Sequence, residues 1–397
     1  MPTTPSSPPT QGGASVAGLR VRAVTTPGEI EQLRPCWEAL NWHPNVQIDY
    51  FTEINEHWKN ISSPYILVLE RDGKPQCFLI GRITNQPFKC NLGYKSVSLG
   101  RVRQLTILYG GVLGCDNLNY AQFMMGELNR MLKSREVDVV FFNLLDTASH
   151  LFSIATQSPG FFVRDHLVTT QLHWKVGLPA TLAEFLQRLN KKHRYWLKRL
   201  EKQLDKEFPG QVSFRSLTDN NQREELMKDV ECVARKTYQR RLGAEINNVA
   251  DNALEEKMRW ERVYVIYLAS RPCAFWMGRF YKGTFYSDAT GYDPEYRKHE
   301  LGTVVFMRMI DCLCREGVET IDFGLGDALY KQRFGNKSWS EAGVKLFSPS
   351  GRGVMLNLAR TSLDGSALCL QNLLERVHLK QRLKTFWRKR LQGDEKP

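Results

Sequence analysis

The sequence predicts an α/β protein in which two copies of one α/β domain follow each other along the chain. The first observation is a repeated hairpin, because residues 64–83 (PYILVLERDGKPQCFLIGRI) and 263–280 (VYVIYLASRPCAFWMGRF) share four residues at one spacing. These residues are Pro75, Phe78, Gly81 and Arg82 in the first hairpin and Pro272, Phe275, Gly278 and Arg279 in the second. The second observation is that residues 137–146 (VDVVFFNLLD) match residues 318–327 (VETIDFGLGD). Two matches in the same order favour tandem copies over chance.

The first copy is predicted to span residues 20–180, after a tail of residues 1–19. The tail contains mostly Pro, Ser, Thr and Gly and has no apolar core. This composition is typical of a disordered segment and not of a signal peptide. Within the first copy, Asp72-Gly73 marks the turn of the hairpin.

A basic amphipathic helix is predicted between the copies, within residues 181–210. One apolar stripe contains Leu189, Trp196, Leu197, Leu200 and Leu204. The other faces carry many Lys and Arg side chains and few acidic ones. Two interpretations remain open. The basic face is simply solvated, or Lys191, Lys192 and Arg194 bind an anionic acceptor or cofactor.

The second copy is predicted to span residues 211–350, and residues 284–335 are its most informative part. They follow the pattern of a strand, a basic turn, a helix and a second strand, with Gly317 placed where the helix stops. Backbone N–H groups at such a helix start are unpaired and suit a phosphate or pyrophosphate. The predicted phosphate contacts are Arg297, Lys298, His299, Gly302 and Thr303. The alternative is an ordinary crossover that binds nothing.

The first copy has no comparable basic turn. Its residues 114–123 read GCDNLNYAQF where the second copy has the turn that ends in Gly302. We therefore expect the second copy to hold a cofactor and the first copy to help shape the acceptor site.

The C-terminal tail, residues 351–397, contains a second basic amphipathic pattern. Residues 376–391 include seven Lys or Arg residues and no acidic residue, with Leu, Phe and Trp at helical intervals. A helix of this kind can lie on an anionic membrane. It can equally cap a domain core or bind a partner.

The composition of the whole chain limits the possible functions. The 397 residues carry a formal net charge of +13, which implies an anionic partner such as a cofactor phosphate, a lipid surface or nucleic acid. Nine scattered cysteines do not form a disulfide framework or a metal site, so they are predicted to be buried thiols in a reducing cytoplasm. No apolar run approaches the ~20 residues of a transmembrane helix.

The second half resembles the GNAT acyltransferase superfamily. Residues 284–335 are similar to the GNAT core, in which a strand, a glycine-bearing turn and a helix hold the pyrophosphate of acyl-CoA. The string DFGLGDALYKQRFG (residues 322–335) resembles a segment of CelD-type and FemAB-like acyltransferases, and NKKHRYWLKRLEKQL resembles the segment before their second domain. The turn RKHELG has fewer glycines than a standard GNAT phosphate loop. The resemblance implies two tandem GNAT-like domains, with mixed, mostly antiparallel sheets flanked by helices.

Acyl transfer to an amine requires a base for the amine and a proton donor for the departing thiolate. Tyr330 is the predicted acid, because it resembles the GNAT tyrosine that precedes a glycine-phenylalanine element. Asp288 is the predicted base, and the alternative is a structural carboxylate paired with a neighbouring Arg. Tyr286 is the reserve base, since alternation along the strand places it on the same face. Asp327 and Lys331 are predicted to orient the acceptor or contact phosphate.

The function that the resemblance implies is transfer of an acyl group from acyl-CoA to an amine, without a metal. The acceptor would be an amino sugar or another cell-envelope or polysaccharide precursor. One alternative is a FemAB-like aminoacyltransferase that uses aminoacyl-tRNA, in which case the positive charge would bind RNA. The other is a non-enzymatic scaffold of a polysaccharide synthesis complex. The expected location is the cytoplasm, with peripheral contact at the inner face of the membrane through residues 376–391 as a further option.

Overall fold

One mixed sheet of twelve strands forms the centre of the protein within the residues that the structure describes. The structure is a computed structural model, and it describes residues 18–57, 62–92, 95–217, 223–237 and 258–376. Strands β1 to β12 are Leu19–Val24, Ser62–Arg71, Lys74–Leu92, Lys95–Leu113, Val139–Asp146, Thr170–Gly177, Val212–Ser216, Glu261–Leu268, Arg271–Tyr281, Thr284–Tyr292, Thr320–Leu325 and Lys337–Phe347. Their order across the sheet is β1-β2-β3-β4-β5-β12-β6-β11-β10-β9-β8-β7.

Helices pack on both faces of this sheet. Helices α1 to α11 are Pro27–Gln32, Arg34–Leu40, Ile48–His57, Leu118–Lys133, His150–Gln157, Leu182–Arg188, Lys191–Glu207, Arg223–Lys236, Leu301–Arg315, Leu329–Phe334 and Gly351–Arg376. Two short 3₁₀ helices cover Pro44–Val46 and Pro294–His299. Residues 1–17 of the predicted tail and residues 377–397, with nearly all of the predicted basic tail helix, lie outside the described residues. The α/β class and the mixed, mostly antiparallel sheet are confirmed.

The repeated hairpin seen in the sequence has the same register in both halves. Val68 pairs with Phe78 in the β2–β3 hairpin, and Val265 pairs with Phe275 in the β8–β9 hairpin. Each hairpin also has an irregularity at the equivalent place, after Leu69 in the first and after Ile266 in the second. Two copies of one supersecondary unit therefore underlie the sheet.

The glycine shared by the two hairpins has a packing reason. A Cβ atom at Gly81 would lie 2.6 Å from the carbonyl oxygen of Thr106, and one at Gly278 would lie 2.1 Å from that of Tyr286. In both halves, the backbone of the next strand lies against the glycine. Only a residue without a side chain allows this close approach.

The last strand of each copy lies among the strands of the other copy. β6 ends the first copy in sequence, yet it pairs with β11 and β12. β12 ends the second copy and pairs with β5 of the first as well as with β6. This exchange joins the two halves into a continuous sheet, and the domain boundaries placed at residues 180 and 210 stay predictions.

Two apolar layers cover each half of the sheet. In the second half, α6, α7 and α9 pack on one face, where their core includes Ile321 and Phe323 of β11. Helix α8 packs on the opposite face, against Val263 and Val265 of β8. In the first half, α4 and α5 cover one face and α1 to α3 the other. The strand residues that alternate with the α9 core therefore point toward the opposite face.

Candidate active site

The parallel strands β10 and β11 stop pairing with each other after three residue pairs. Thr284 to Tyr286 pair with Thr320 to Asp322, and the register then breaks on both strands. β10 bulges against β9 at Asp288, and β11 shifts against β6 between Asp322 and Gly324. We call this point the divergence of the two strands, because the register between β10 and β11 has no pair beyond it.

Helix α9 begins beside this divergence without a side-chain cap. Its N-cap residue is Glu300, which has the left-handed backbone angles φ 49° and ψ 42°. The predicted phosphate residues lie in this turn and in the first turn of the helix. Arg297 is exposed and makes no ion pair with any residue that the structure describes. The helix start is therefore open to an anion from solvent.

His299 has a different environment from the one predicted. Its side chain is buried, its Nε2 is 2.7 Å from Oε2 of Glu207, and its ring contacts Phe208. Lys298 is 3.6 Å from the same carboxylate. Hydrogen bonds from His299 and Gln203 lower the pKa of Glu207 to about 2. These contacts join the end of α7 to the turn before α9, so His299 contributes packing there.

The basic helix α7 contributes its predicted residues to two different places. Arg194 donates to the carbonyl oxygens of Gln187 and Leu189, and it lines a cavity of about 480 Å³ between α6, α7 and α9. Thr303 lines the same cavity, so these two predicted residues lie together. Lys192 lines a separate groove of about 290 Å³. Lys191 is exposed.

Tyr330 lies on α10 close to the divergence of the strands. Its ring packs edge-on against Trp276 and Phe323, with centroids 5.3 and 5.8 Å away. Trp276 in turn donates to Oγ of Ser287, which precedes the bulge. Burial raises the pKa of Tyr330 to about 12, and its hydroxyl makes no hydrogen bond to any described residue. A protonated, unpaired hydroxyl is thus available beside the bulge.

Lys331 and Asp327 make structural contacts in the loop that follows β11. Lys331 is buried and donates to the carbonyl oxygens of Gly324 and Leu325, and burial lowers its pKa. Asp327 is exposed and accepts a hydrogen bond of 2.7 Å from Gln332. Lys331 therefore fixes the end of β11, and its role toward an acceptor stays a prediction.

The two candidate bases on β10 have partners already. Asp288 accepts two hydrogen bonds from Arg279, at 3.0 and 3.1 Å, and Arg279 also contacts Asn45 of the first half. Tyr286 is buried and donates to the carbonyl oxygen of Trp42 at 2.6 Å. Burial raises the pKa of Tyr286 well above its ordinary value. The carboxylate paired with an arginine, which was the alternative for Asp288, is the arrangement present.

A buried polar cluster that sequence reasoning missed lies on the face opposite α9. We call it the central cluster, and its members are Tyr109, His173, Lys175, Asp322, Trp339 and Glu341. His173 of β6 is hydrogen-bonded through Nε2 to Oδ1 of Asp322 at 2.5 Å and through Nδ1 to Oε2 of Glu341 at 2.9 Å. Trp339 stacks on the imidazole at 4.3 Å and donates to Glu341. Tyr109 contacts both His173 and Glu341.

The electrostatics of the central cluster favour a charged histidine. Burial lowers the pKa of His173, but its hydrogen bonds to Asp322 and Glu341 outweigh this effect and raise the pKa overall. Burial also works to raise the pKa of Asp322, yet the contacts with His173 and Lys175 lower it. A protonated His173 between the two carboxylates explains both the raised pKa of His173 and the lowered pKa of Asp322. Among the described residues, no group of three or more His, Cys, Asp or Glu side chains could hold a metal ion.

Lys175 closes the open side of the central cluster. Its ammonium is 3.3 Å from Oδ2 of Asp322 and lies over the rings of Trp42 and Trp339, at 5.5 and 5.2 Å from their centroids. The side chain of Lys175 is 22% exposed, and Trp42 is 39% exposed. Solvent therefore reaches the cluster along Lys175 and Trp42.

Comparison with known proteins shows a family likeness in part of the chain and a fold likeness over most of it. A family model described as an acetyltransferase (GNAT) domain matches residues 191–332, which include α7, the turn before α9 and Tyr330. The structure of FemX is similar with a TM-score of 0.53 and 10% sequence identity, over 82% of this chain and 97% of that chain. A tandem GNAT protein from the clavulanic acid biosynthesis pathway has 9% identity and a TM-score of 0.46, over 84% and 99% of the two chains. Curated protein sequences gave no match. Along the described segments, no helix is long and apolar enough to cross a membrane.

Proposed function

We propose that this protein, an acyltransferase of the GNAT superfamily with a tandem GNAT fold, moves an acyl group from acyl-CoA to an amine. The observation that carries the proposal is the divergence of β10 and β11 after the pair of Tyr286 and Asp322. This divergence lies beside the uncapped start of α9. The extended part of a donor can therefore bind along the strands while its phosphates bind at the start of α9.

The donor would be held mainly by backbone groups. The extended pantetheine arm of CoA can lie between β10 and β11 and bond to their free edges, as an added strand would. Its pyrophosphate then reaches the first turn of α9, where N–H groups and the helix dipole favour negative charge. Arg297, exposed and without an ion-pair partner in the described residues, adds a full charge there.

Tyr330 is proposed to protonate the departing thiolate. Its hydroxyl is protonated at neutral pH, because its pKa is raised to about 12. No described residue forms a hydrogen bond with this hydroxyl. The contacts from Tyr330 to Trp276 and from Trp276 to Ser287, which precedes the bulge, support this role if the thioester lies at the bulge. Backbone N–H groups at the bulge are suited to stabilise the oxyanion.

The acceptor class rests on the resemblance, which implies an amino sugar or another cell-envelope or polysaccharide precursor. We expect the first half to contribute to its binding, because Trp42, Asn45 and Tyr109 contact Tyr286, Arg279 and Glu341 of the second half. Peripheral membrane contact through residues 376–391 remains part of the proposal and concerns residues outside those described.

Aminoacyl transfer from tRNA is the second candidate, and the exposed face of α7 favours it. Tyr195 is 71% exposed there, and the basic side chains around it are exposed as well: Lys191, Lys192, Lys198, Arg199 and Lys202. A basic surface with an exposed aromatic ring is suited to a nucleic-acid backbone and its bases.

Calorimetric titration of the full chain distinguishes the two donors. We expect binding of acetyl-CoA or a longer acyl-CoA, and about tenfold weaker binding for Arg297→Glu, which corresponds to ~1.4 kcal/mol. Lys89→Glu makes the same charge reversal at an exposed position of the first half and should leave the affinity unchanged. Absence of acyl-CoA binding at millimolar ligand, together with salt-dependent binding of tRNA, would establish the second candidate instead.

A further inference from the structure

Asp322 belongs to the last residue pair between β10 and β11, the two strands proposed to bind the donor. Its backbone pairs with Tyr286 of β10 on one side and with Lys175 of β6 on the other. Its neighbours in sequence, Ile321 and Phe323, belong to the core under α9, so the carboxylate leaves the sheet on the opposite face. A thioester between β10 and β11 would therefore have this carboxylate beside it, on the side that the first half covers.

The two oxygens of the Asp322 carboxylate are not equivalent. Oδ1 is hydrogen-bonded to Nε2 of His173 and accepts from the N–H of Gly324 at 2.8 Å. Oδ2 is buried and accepts no hydrogen bond from any described residue, and the Lys175 ammonium faces it at 3.3 Å. The side chain is 3% exposed, and a buried carboxylate oxygen without a hydrogen bond is costly. Oδ2 of Asp322 is therefore held in a fixed position where it can accept a hydrogen bond from a ligand.

The surroundings of Oδ2 have the chemistry of an ammonium site. Two indole faces, from Trp42 and Trp339, flank the cationic head of Lys175. Aromatic faces together with a carboxylate bind primary and substituted ammonium groups. Trp42 belongs to the first half and Trp339 to the exchanged strand β12, so the site exists only where the halves meet. Because the Lys175 side chain is partly exposed, it can move out to solvent and vacate the site.

We propose that Oδ2 of Asp322 receives the ammonium group of the acceptor and holds it beside the thioester while it loses a proton to solvent, in the place that Lys175 occupies in the unliganded protein. His173 and Glu341 are positioning residues, because they orient the Asp322 carboxylate and do not reach the acceptor themselves. The inference rests on the proposed acyl-CoA function. It adds that the acceptor is a primary ammonium compound and that it enters between Trp42 and Trp339.

The proton and bond changes are as follows. The ammonium held by Asp322 releases one proton to the solvent that reaches the cluster along Lys175 and Trp42. The neutral amine forms the N–C bond at the thioester carbonyl, and the C–S bond breaks. Tyr330 gives its hydroxyl proton to the CoA thiolate. The second nitrogen proton, lost as the amide forms, passes through solvent to Tyr330 and restores its hydroxyl. The products are an amide, CoA thiol and one released proton.

Emptying the site gives a test that does not require the natural acceptor. Lys175→Ala removes the ammonium and most of the side chain, which leaves room for n-propylammonium between the two indoles. We expect n-propylammonium to change the tryptophan fluorescence of this variant in a saturable manner, and the variant to acetylate n-propylamine from acetyl-CoA. Lys175→Met is the matched control, because it removes the charge but keeps the site filled.

Asp322→Asn in the Lys175→Ala background should reduce both n-propylammonium binding and acetylation at least tenfold while acetyl-CoA binding persists. Glu341→Gln in the same background should lower kcat and shift its pH profile, with KM for n-propylamine changed less than twofold. If Lys175→Ala binds acetyl-CoA as the wild type does but gives no saturable response to n-propylammonium, the inference is wrong. Failure of the wild type to bind any acyl-CoA would instead reject the proposed function.

Discussion

Equivalent helices in the two halves of the protein begin in opposite ways. In the first half, α4 is capped by Asn117, whose side chain accepts a hydrogen bond of 2.9 Å from the N–H of Tyr120. In the second half, α9 follows Glu300 in a left-handed conformation, and no side chain within the described segments caps it. The first helix start is closed by the chain itself, and the second is open to an anion. One fold thus serves as structure in one copy and as a ligand site in the other.

The hydroxyl residues that follow β5 and β11 differ between the copies in the same way as the two helix starts. The alignment that places Asp146 opposite Asp327 also places Ser149 opposite Tyr330. Ser149 caps α5 by accepting a hydrogen bond of 3.1 Å from the N–H of Phe152. The hydroxyl of Tyr330 has no such partner among the described residues. The second copy therefore leaves polar groups available at two places where the first copy pairs them.

The largest expected effect concerns His173, at the seam between the halves. His173→Gln leaves the buried carboxylates of Asp322 and Glu341 without their cation, so we expect a loss of about 3–5 kcal/mol in the free energy of unfolding. Chemical denaturation should show one cooperative transition in both proteins if the halves fold as a unit. A variant in which only one half unfolds early would show that the copies are independent.

The same network predicts how stability depends on pH. The pKa of His173 is raised in the folded protein, so its contribution is complete below the ordinary value of 6.5 and is lost as pH rises through the folded pKa. The pKa of Asp322 is lowered, so its contribution is complete above the ordinary value of 3.8 and is lost as pH falls through the folded pKa. The network stabilises most between these two ordinary values. His173→Gln should remove the alkaline limb of the denaturation profile.

A smaller effect is expected from the hydroxyl of Tyr330. Tyr330→Phe should lower kcat about 100-fold, because general acid catalysis contributes at least this much, and should leave acetyl-CoA affinity within twofold. Ser149→Ala changes the equivalent residue of the first copy and should cost about 1 kcal/mol of stability without changing kcat. Steady-state kinetics and calorimetry on both variants check the pair. An unchanged rate for Tyr330→Phe would remove it as the acid.

The smallest effects are expected at the two helix starts. Gly302→Asp should weaken acetyl-CoA binding about tenfold, because its carboxylate would lie against the phosphates. The side chain fits, since a Cβ atom there would be 3.8 Å from the ring of Tyr292. Asn117→Ala should leave acetyl-CoA affinity unchanged and reduce stability by about 1 kcal/mol. Equal effects of both variants on acetyl-CoA affinity would contradict the claim that only the second copy binds the donor.

Local patterns predicted the repeated units of the fold well. The hairpins, the helix that ends near Gly317 and the strand after it are all present, because each depends on residues close in sequence. The opening of α9 was predicted from its position, whereas the left-handed Glu300 was not, because only glycine signals that conformation in a sequence. The burial of His299 could not be predicted, because its partner Glu207 comes from a different helix.

The exchange of β6 and β12 and the central cluster could not be predicted in this way. His173 is 149 residues from Asp322 and 168 residues from Glu341, and only the exchanged strands bring the three together. The usable signal was a polar residue inside an otherwise apolar strand, such as Asp322 in TIDFGL. A residue of this kind must find a buried partner, but its sequence does not say which.

Titration of the full chain with acetyl-CoA tests most directly whether the second copy alone holds the donor. We expect one binding site per chain, weakened about tenfold by Gly302→Asp and unaffected by Asn117→Ala. Two sites per chain, or a site that Gly302→Asp leaves intact, would contradict it.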